Sequence, residues 1–253
     1  MMTSADWGQE GRVTIITGAT GYLGRALARG FSDAGATLFL SGRNQESLDA
    51  VASELSANSS ERVQTFVADL TESDAGERLI STALLKTGRV DTLVLNAGTL
   101  ADGLVAGLTD DQMERVYELN LWGTFRTLRA ALRPMILQRS GQIVVVSSTA
   151  AQRPGVGQAA YASSKAALES LVRTTARETA ARGIRVNGVA PGLLTGGMAT
   201  RIMDEAPMRA AEVIPMKRAG EATEVVPVVL FLASPMSSYV TGQVWSIDGG
   251  YTA

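Results

Sequence analysis

Short runs of Val, Ile and Leu alternate along the chain with longer segments in which apolar residues recur at helical spacing. Residues 12–17, 37–41, 63–67, 91–95, 143–146, 184–189 and 244–247 read as strands, several of them apolar at nearly every position. That pattern marks strands covered on both faces, and hence a parallel sheet. Helices are expected over 22–34, after Asn44, over 74–86, from Thr109 to about Arg133, over 159–182 and over 223–233. After Asn44, Leu48, Val51, Ala52 and Leu55 form one apolar stripe. Thr109 and Gln112 match a capping box, which fixes the start of the fourth helix. The alternation predicts one doubly wound α/β Rossmann-type domain over 1–253, with a mainly parallel seven-stranded sheet and helices on both faces.

Two stretches fall outside this rhythm. Residues 1–11 are polar, carry no secretory apolar core and read as a flexible tail. Residues 191–218 are irregular and hold Met198, Met203, Met208 and Met216 with Pro207 and Pro215. They read either as a loop packed on the core or, over 193–218, as a substrate lid, since methionine adapts to varied apolar shapes.

Composition removes several chemistries. The 253 residues include no cysteine and no histidine. Thiolate nucleophiles, disulfides, His-based triads and His-ligated metals are therefore excluded, and no metal site is expected. Acid–base work must fall to Tyr, Lys, Asp or Glu. With 23 basic and 25 acidic residues there is no basic field for nucleic acid. No apolar run approaches the ~18 residues of a membrane span. A cytoplasmic location is the expectation.

Three segments carry chemistry. The first, Thr17-Gly18-Ala19-Thr20-Gly21-Tyr22-Leu23-Gly24, lies between the first strand and the first helix. There, glycines let backbone amides approach a pyrophosphate at a helix N-terminus. The second is Ser41-Gly42-Arg43, at the end of the second strand. An NAD site places an acid there; here Gly42 leaves space and Arg43 offers a guanidinium fork suited to a phosphate. The third is Tyr161-Ala162-Ser163-Ser164-Lys165, opening the helix after the fifth strand, with Ser148 at that strand's end. The four-residue spacing places Tyr161 and Lys165 on one helix face. A lysine ammonium there is expected to lower the tyrosine pKa, which permits proton transfer without histidine.

The chain resembles the short-chain dehydrogenase/reductases of the common, single-domain type, over nearly its whole length. Beyond the glycine turn and Tyr-x-x-x-Lys, the resemblance includes Asp69-Leu70, Asn96-Ala97-Gly98, Asn120, Ser147-Ser148, Pro191-Gly192 and the closing Asp248-Gly249-Gly250. It implies Tyr161 as general acid for carbonyl reduction, with Lys165 tuning it and holding the nicotinamide ribose. Ser148 would bond the carbonyl oxygen, and Asn120 would hold a water leading to Lys165. Gly18, Thr20, Gly21, Tyr22 and Leu23 would hold the pyrophosphate, and Arg43 the 2′-phosphate of NADP(H). Asp69 and Leu70 would flank the adenine. Asn96, Ala97 and Gly98 would line the adenosine side, and Pro191, Gly192, Leu194 and Thr195 the nicotinamide side.

Two positions depart from the family pattern. Tyr22 stands at the middle glycine of the common turn, giving a Gly-x-x-Gly-x-x-Gly spacing like that of the extended, epimerase-type relatives. Gly196 stands where a threonine is usual, with Thr195 one place earlier. The resulting expectation is an NADPH-dependent reductase of a ketone, such as a 3-oxoacyl thioester, a polyketide or aromatic ketone, a steroid or a small cyclic ketone. An extended-type sugar epimerase or dehydratase and a non-catalytic NADP-sensing protein are the alternatives. A homotetramer is expected, paired through helices 110–133 and 159–182, where Leu168 and Leu171 fit either a shared face or the sheet. Arg126, Arg129 and Arg133 offer either a carrier-protein docking face or a solvated one.

Overall fold

The computed structural model describes residues 6–56, 62–197 and 212–253. Seven parallel strands form one sheet: β1 Val13–Thr17, β2 Thr37–Gly42, β3 Val63–Val67, β4 Thr92–Leu95, β5 Gly141–Val146, β6 Ile184–Pro191 and β7 Val244–Ile247. Their order is β3-β2-β1-β4-β5-β6-β7. The chain winds outward from β1 to β3, returns to place β4 beside β1, and winds outward again. β1 and β4 pair with Thr14 opposite Thr92 and Ile16 opposite Val94. This reversal is the switch point at which doubly wound sheets open a crevice beyond the carboxyl ends of their strands.

Strand side chains alternate between two cores, as the period of two requires. Ile16, Leu38, Leu40, Val94, Val144 and Val189 face the layer of α1 (Tyr22–Asp33), α2 (Gln45–Ser56) and α7 (Ala222–Ala233), meeting Leu27, Phe31, Leu48 and Val229. Ile15, Phe39, Leu93, Leu95, Ile143 and Val186 face α3 (Ala75–Thr87), α5 (Thr124–Gln138) and α6 (Ala159–Thr179), meeting Leu79, Leu128, Met135, Leu168 and Val172. Central strands β1, β4 and β5 are buried throughout, which is why they carry no polar alternation. Truncating a side chain such as Phe31 to Ala would cost about 3–5 kcal/mol.

Two expectations need correcting. The helix read from Thr109 to Arg133 is three pieces: α4 (Asp110–Tyr117), a π-helical turn Glu118–Gly123, and α5, which runs on to Gln138. The capping box of Thr109 and Gln112 is present. Gly123 sits so tightly against β3's exit loop that a Cβ would lie 2.6 Å from the Leu70 carbonyl. The described part of the N-terminal tail, residues 6–11, is packed rather than free. Gln9 is fully buried, its Nε2 donates to the Ala233 carbonyl at 3.2 Å, and Trp7 lies against the core. Of the two placements open for Leu168, the structure has the sheet-facing one. Of the lid expected over 193–218, Met198, Met203, Pro207 and Met208 lie outside the described residues. Pro215 and Met216 pack on the closing glycines, with Met216 N donating to the Gly249 carbonyl at 3.1 Å.

Candidate active site

The turn from β1 into α1 depends on two of its glycines. Gly18 has φ 63°, and a Cβ there would lie 2.9 Å from the Ala97 Cα. A Cβ on Gly24 would lie 2.1 Å from the Gly18 carbonyl oxygen. Gly21, by contrast, has ordinary backbone angles and its nearest neighbour at 3.5 Å. Asn96 staples this turn to β4: its Nδ2 donates to the carbonyls of Thr17 (3.1 Å) and Gly18 (3.0 Å). The Thr17 hydroxyl in return accepts the backbone N–H of Asn96 and Ala97. The result is a helix N-terminus with an open approach, the arrangement that binds phosphate.

Beside it, Gly42 ends β2. A Cβ there would lie 3.2 Å from Thr20 Cγ2, so any side chain would crowd the turn. Arg43 follows on the cavity wall, exposed. Asp69 does not line the cavity. Its Oδ1 accepts the Thr71 N–H (3.0 Å) and hydroxyl (2.8 Å), and these bonds, with a smaller contribution from Arg43, hold its carboxyl below the usual range. Ala68 and Leu70 form the wall at this point instead.

The other end is built by β5 and α6. Ser148 begins a short turn after β5, and its Oγ accepts the Ala150 N–H at 3.2 Å. Tyr161 comes from the first turn of α6 and lines the cavity together with Ser148. Burial pushes the Tyr161 hydroxyl above its ordinary 10.0, and Ser148 opposes that rise. This is the reverse of the direction expected from the sequence. The cause is desolvation of the phenol. The Lys165 Nζ donates to the Val146 carbonyl at 2.8 Å and lies 5.7 Å from the Tyr161 ring centroid. Lys165 is 2% exposed, and burial pulls its ammonium from 10.5 down to about 8. Ser147 is spent behind the site, its hydroxyl donating to the Lys165 carbonyl and to Glu169.

Asn120, in the π-helical turn, is fully buried. Its Nδ2 donates to the Thr99 carbonyl and to Ser164 Oγ, both at 2.9 Å, and its Oδ1 accepts the Thr99 N–H at 2.8 Å. It therefore ties the β4 exit loop to α6 directly behind Lys165. A Cβ on Gly98 would lie 3.4 Å from both Asn120 Oδ1 and Lys165 Nζ.

These elements enclose a cavity of about 910 Å³. Of the residues expected from the sequence it brings together Gly18, Thr20, Gly21, Tyr22, Leu23, Arg43, Leu70, Asn96, Ala97, Gly98, Ser148, Tyr161, Lys165, Pro191, Gly192 and Leu194. Asp69, Asn120 and Thr195 are not on its wall; Thr195 is bonded instead to Tyr22 and Glu221. Sequence reasoning missed Arg153 and Gln158, in the loop between Ser148 and Tyr161, and Tyr251 and Ile214, which only tertiary packing brings to the rim. The Arg153 guanidinium lies 4.6 Å from the Tyr251 ring centroid and donates to its carbonyl at 2.6 Å. The described wall holds three cations, Arg43, Arg153 and Lys165, and no carboxylate.

Comparison with known proteins agrees with this geometry. Residues 18–252 match the family model described as enoyl-(acyl carrier protein) reductase. The chain is 39% identical over 241 residues to the 3-oxoacyl-(acyl-carrier-protein) reductase of Thermotoga maritima, covering 95% of this chain and 98% of that one. It is 37% identical to nodulation protein G of Rhizobium meliloti, covering 95% and 96%. Among solved structures it is similar to levodione reductase (TM-score 0.91, 32% identity, 95% and 97% covered) and to NAD+-bound xylitol dehydrogenase (TM-score 0.92, 30% identity, 96% and 99% covered).

Proposed function

The chain belongs to the short-chain dehydrogenase/reductase family, and we propose that its cavity reduces a ketone to an alcohol with NADPH. The observation that carries the reading is Tyr161, set on the cavity wall with Ser148 and with the buried Lys165 Nζ 5.7 Å from its ring centroid, at the far end of a cavity that begins at an open helix N-terminus. The cradle fits a dinucleotide: side chains are excluded at Gly18 and Gly24, and no acid stands on the described wall to repel phosphate.

When bound, the nicotinamide cofactor supplies a hydride to the carbonyl carbon. The chain's part is protonic and positional. Tyr161, with its pKa raised, is fully protonated at neutral pH and can give its proton to the carbonyl oxygen. Ser148 shares that oxygen's hydrogen bonding. Lys165, about 8, is still mainly ammonium at pH 7 and favours the phenolate left behind. A protonated donor with a cation beneath it suits reduction at neutral pH better than alcohol oxidation. The apolar part of the wall, Leu100, Leu193, Val213 and Ile214, fits an acyl or cyclic ketone. The similarity to 3-oxoacyl-(acyl-carrier-protein) reductases favours a 3-oxoacyl thioester.

The preference for NADPH rests on Gly42 and Arg43. A charge-assisted bond from Arg43 to a 2′-phosphate contributes about 1.5–3 kcal/mol, or about ten- to a hundredfold in affinity. The proposal keeps the cytoplasmic location expected from the sequence, and no helix of the described residues is long and apolar enough to cross a membrane. It also keeps the homotetramer, now with Leu121, Trp122, Phe125 and Leu171 as the apolar groove between the π-helical turn, α5 and α6 that would pair. Two of the three arginines on α5 are already ion-paired, Arg126 with Glu118 and Arg133 with Glu77, which favours the solvated reading of that face.

The test is an initial-rate assay of NADPH oxidation against 3-oxoacyl thioesters, aromatic and cyclic ketones, repeated with NADH. The reading expects turnover of at least one class and a higher kcat/KM with NADPH. No turnover of any ketone, or equal use of NADH, would count against it.

A further inference from the structure

The two departures from the family pattern, Tyr22 in the glycine turn and the Thr195-Gly196 displacement after β6, meet in space. The Tyr22 hydroxyl donates to Glu221 Oε2 at 2.7 Å and lies 2.8 Å from Thr195 Oγ1. Thr195 Oγ1 donates to the same Glu221 oxygen at 2.8 Å. The Tyr22 ring lies beneath the loop. A Cβ on Gly196 would lie 2.8 Å from two of its ring carbons, and a Cβ on Gly197 would lie 3.1 Å from Tyr22 Cβ. Gly196 admits no side chain while the ring is there, and Gly197, at φ 76°, packs on the Tyr22 Cβ, so Tyr22 and the glycine pair are one packing unit.

Glu221 is itself fixed. It is the N-cap of α7 in a reciprocal capping box with Glu224, and its N–H donates to Glu224 Oε2 at 2.9 Å. Arg218 holds Glu224 with two bonds of 2.7 Å. The loop is clamped to the same segment by Thr195 N donating to the Gly220 carbonyl (2.9 Å) and Gly220 N to the Leu193 carbonyl (3.0 Å). One rim of the slot, Gly18 to Leu23, is thus bolted through Tyr22 to the other, Gly192 to Leu194, and both rims line the cavity.

We propose that Tyr22 is a positioning residue for the cofactor: with Thr195 and Glu221 it holds the loop after β6 at a set spacing from the glycine turn, so that the slot between them is preformed before the dinucleotide arrives. This rests on the reading that the slot takes a dinucleotide. Preformed rims raise affinity by sparing the ordering of a loop on binding, and the gain falls mainly on the dissociation rate. The arrangement also gives Thr195 a different duty from the nicotinamide contact the resemblance implies: its hydroxyl is spent on the latch.

The experiment measures NADPH binding by fluorescence titration, and amide hydrogen exchange across 193–197 in the cofactor-free protein. It uses Tyr22→Phe, Gly196→Ala, Tyr22→Ala and the Tyr22→Ala/Gly196→Ala pair. Tyr22→Phe, which removes only the hydroxyl, should weaken NADPH binding about three- to tenfold. It should also speed exchange in 193–197 without speeding it in β5 or α6. Gly196→Ala should weaken binding at least about tenfold in the native background, and add little once the ring is gone. An NADPH affinity for Tyr22→Phe within twofold of wild type would overturn the proposal. So would a Gly196→Ala effect of equal size in both backgrounds. Failure of the unmodified protein to bind NADPH would bring down the nucleotide reading and this proposal with it. A protein that binds NADPH but turns over no ketone leaves both measurements decisive.

Discussion

Of the three tyrosines that border the cavity, two lie on the first turn of a helix, and they live under different physics. Tyr161, on α6, is half-buried on the cavity wall, beside the buried Lys165. Desolvation governs its hydroxyl, raising its pKa, and lowers that of the cation near it. Tyr22, on α1, is half-buried and held by hydrogen bonds to Thr195 and the exposed Glu221. A desolvated phenol facing a cavity beside a cation is a proton donor whose strength the protein can set; a phenol bonded to a carboxylate and a hydroxyl is a strut. The residue type is the same, and the partners around it decide which it becomes.

The largest expected effect follows from removing the cation at the buried end. Lys165→Met should lower kcat/KM by at least about a thousandfold, since both the proton donor and the ribose lose a partner. Steady-state kinetics checks this. A thermal scan of the same variant over pH sharpens it. The folded Lys165 titrates near 8 and the unfolded one near 10.5, so its charge destabilises the fold at neutral pH. That cost fades as pH rises from about 8 toward 10.5. Wild type should therefore gain stability relative to Lys165→Met over that window; a difference independent of pH would mean the ammonium is not desolvated.

Next in size is the cofactor rim. Gly42→Asp places a carboxylate where Thr20 already crowds and should cost about ten- to a hundredfold in NADPH affinity, with relative gain for NADH. Arg43→Ala should lose up to a similar factor with NADPH alone. Comparing the two cofactors by kcat/KM decides both. The pH dependence comes after: kcat/KM for NADPH, which reports the free enzyme, should be level below about pH 7 and fall above about 8 as Lys165 loses its proton. The smallest effect is that of Tyr22→Phe, confined to cofactor binding.

What the sequence conveyed and what it withheld divide along the same line. The parallel sheet was legible because β1, β4 and β5 are apolar at almost every position, and the capping box at Thr109 was legible from four residues. The break at Glu118–Gly123 was not. The close approach of Gly123 to Leu70 depends on an element distant in sequence. Gln9 read as tail because nothing polar nearby reveals that its partner is the Ala233 carbonyl at the other end of the chain. At the site, Tyr161, Lys165 and Ser148 could be read from spacing, but the direction of the Tyr161 shift could not, because spacing places a charge without stating how deeply it is buried. Likewise Tyr22 and Gly196 were visible only as two separate anomalies. Their contact joins residues 22, 195 and 221, which no local pattern links.

The most direct test of the account sets the two tyrosines side by side. It is the single-turnover rate of NADPH oxidation at saturating cofactor with an accepted ketone, for Tyr161→Phe and Tyr22→Phe. If the phenol of Tyr161 gives the proton and that of Tyr22 only holds the loop, Tyr161→Phe loses at least about a hundredfold in that rate and Tyr22→Phe less than about threefold. A Tyr161→Phe enzyme that keeps a tenth or more of the wild-type rate, or two variants that lose equally, would contradict it.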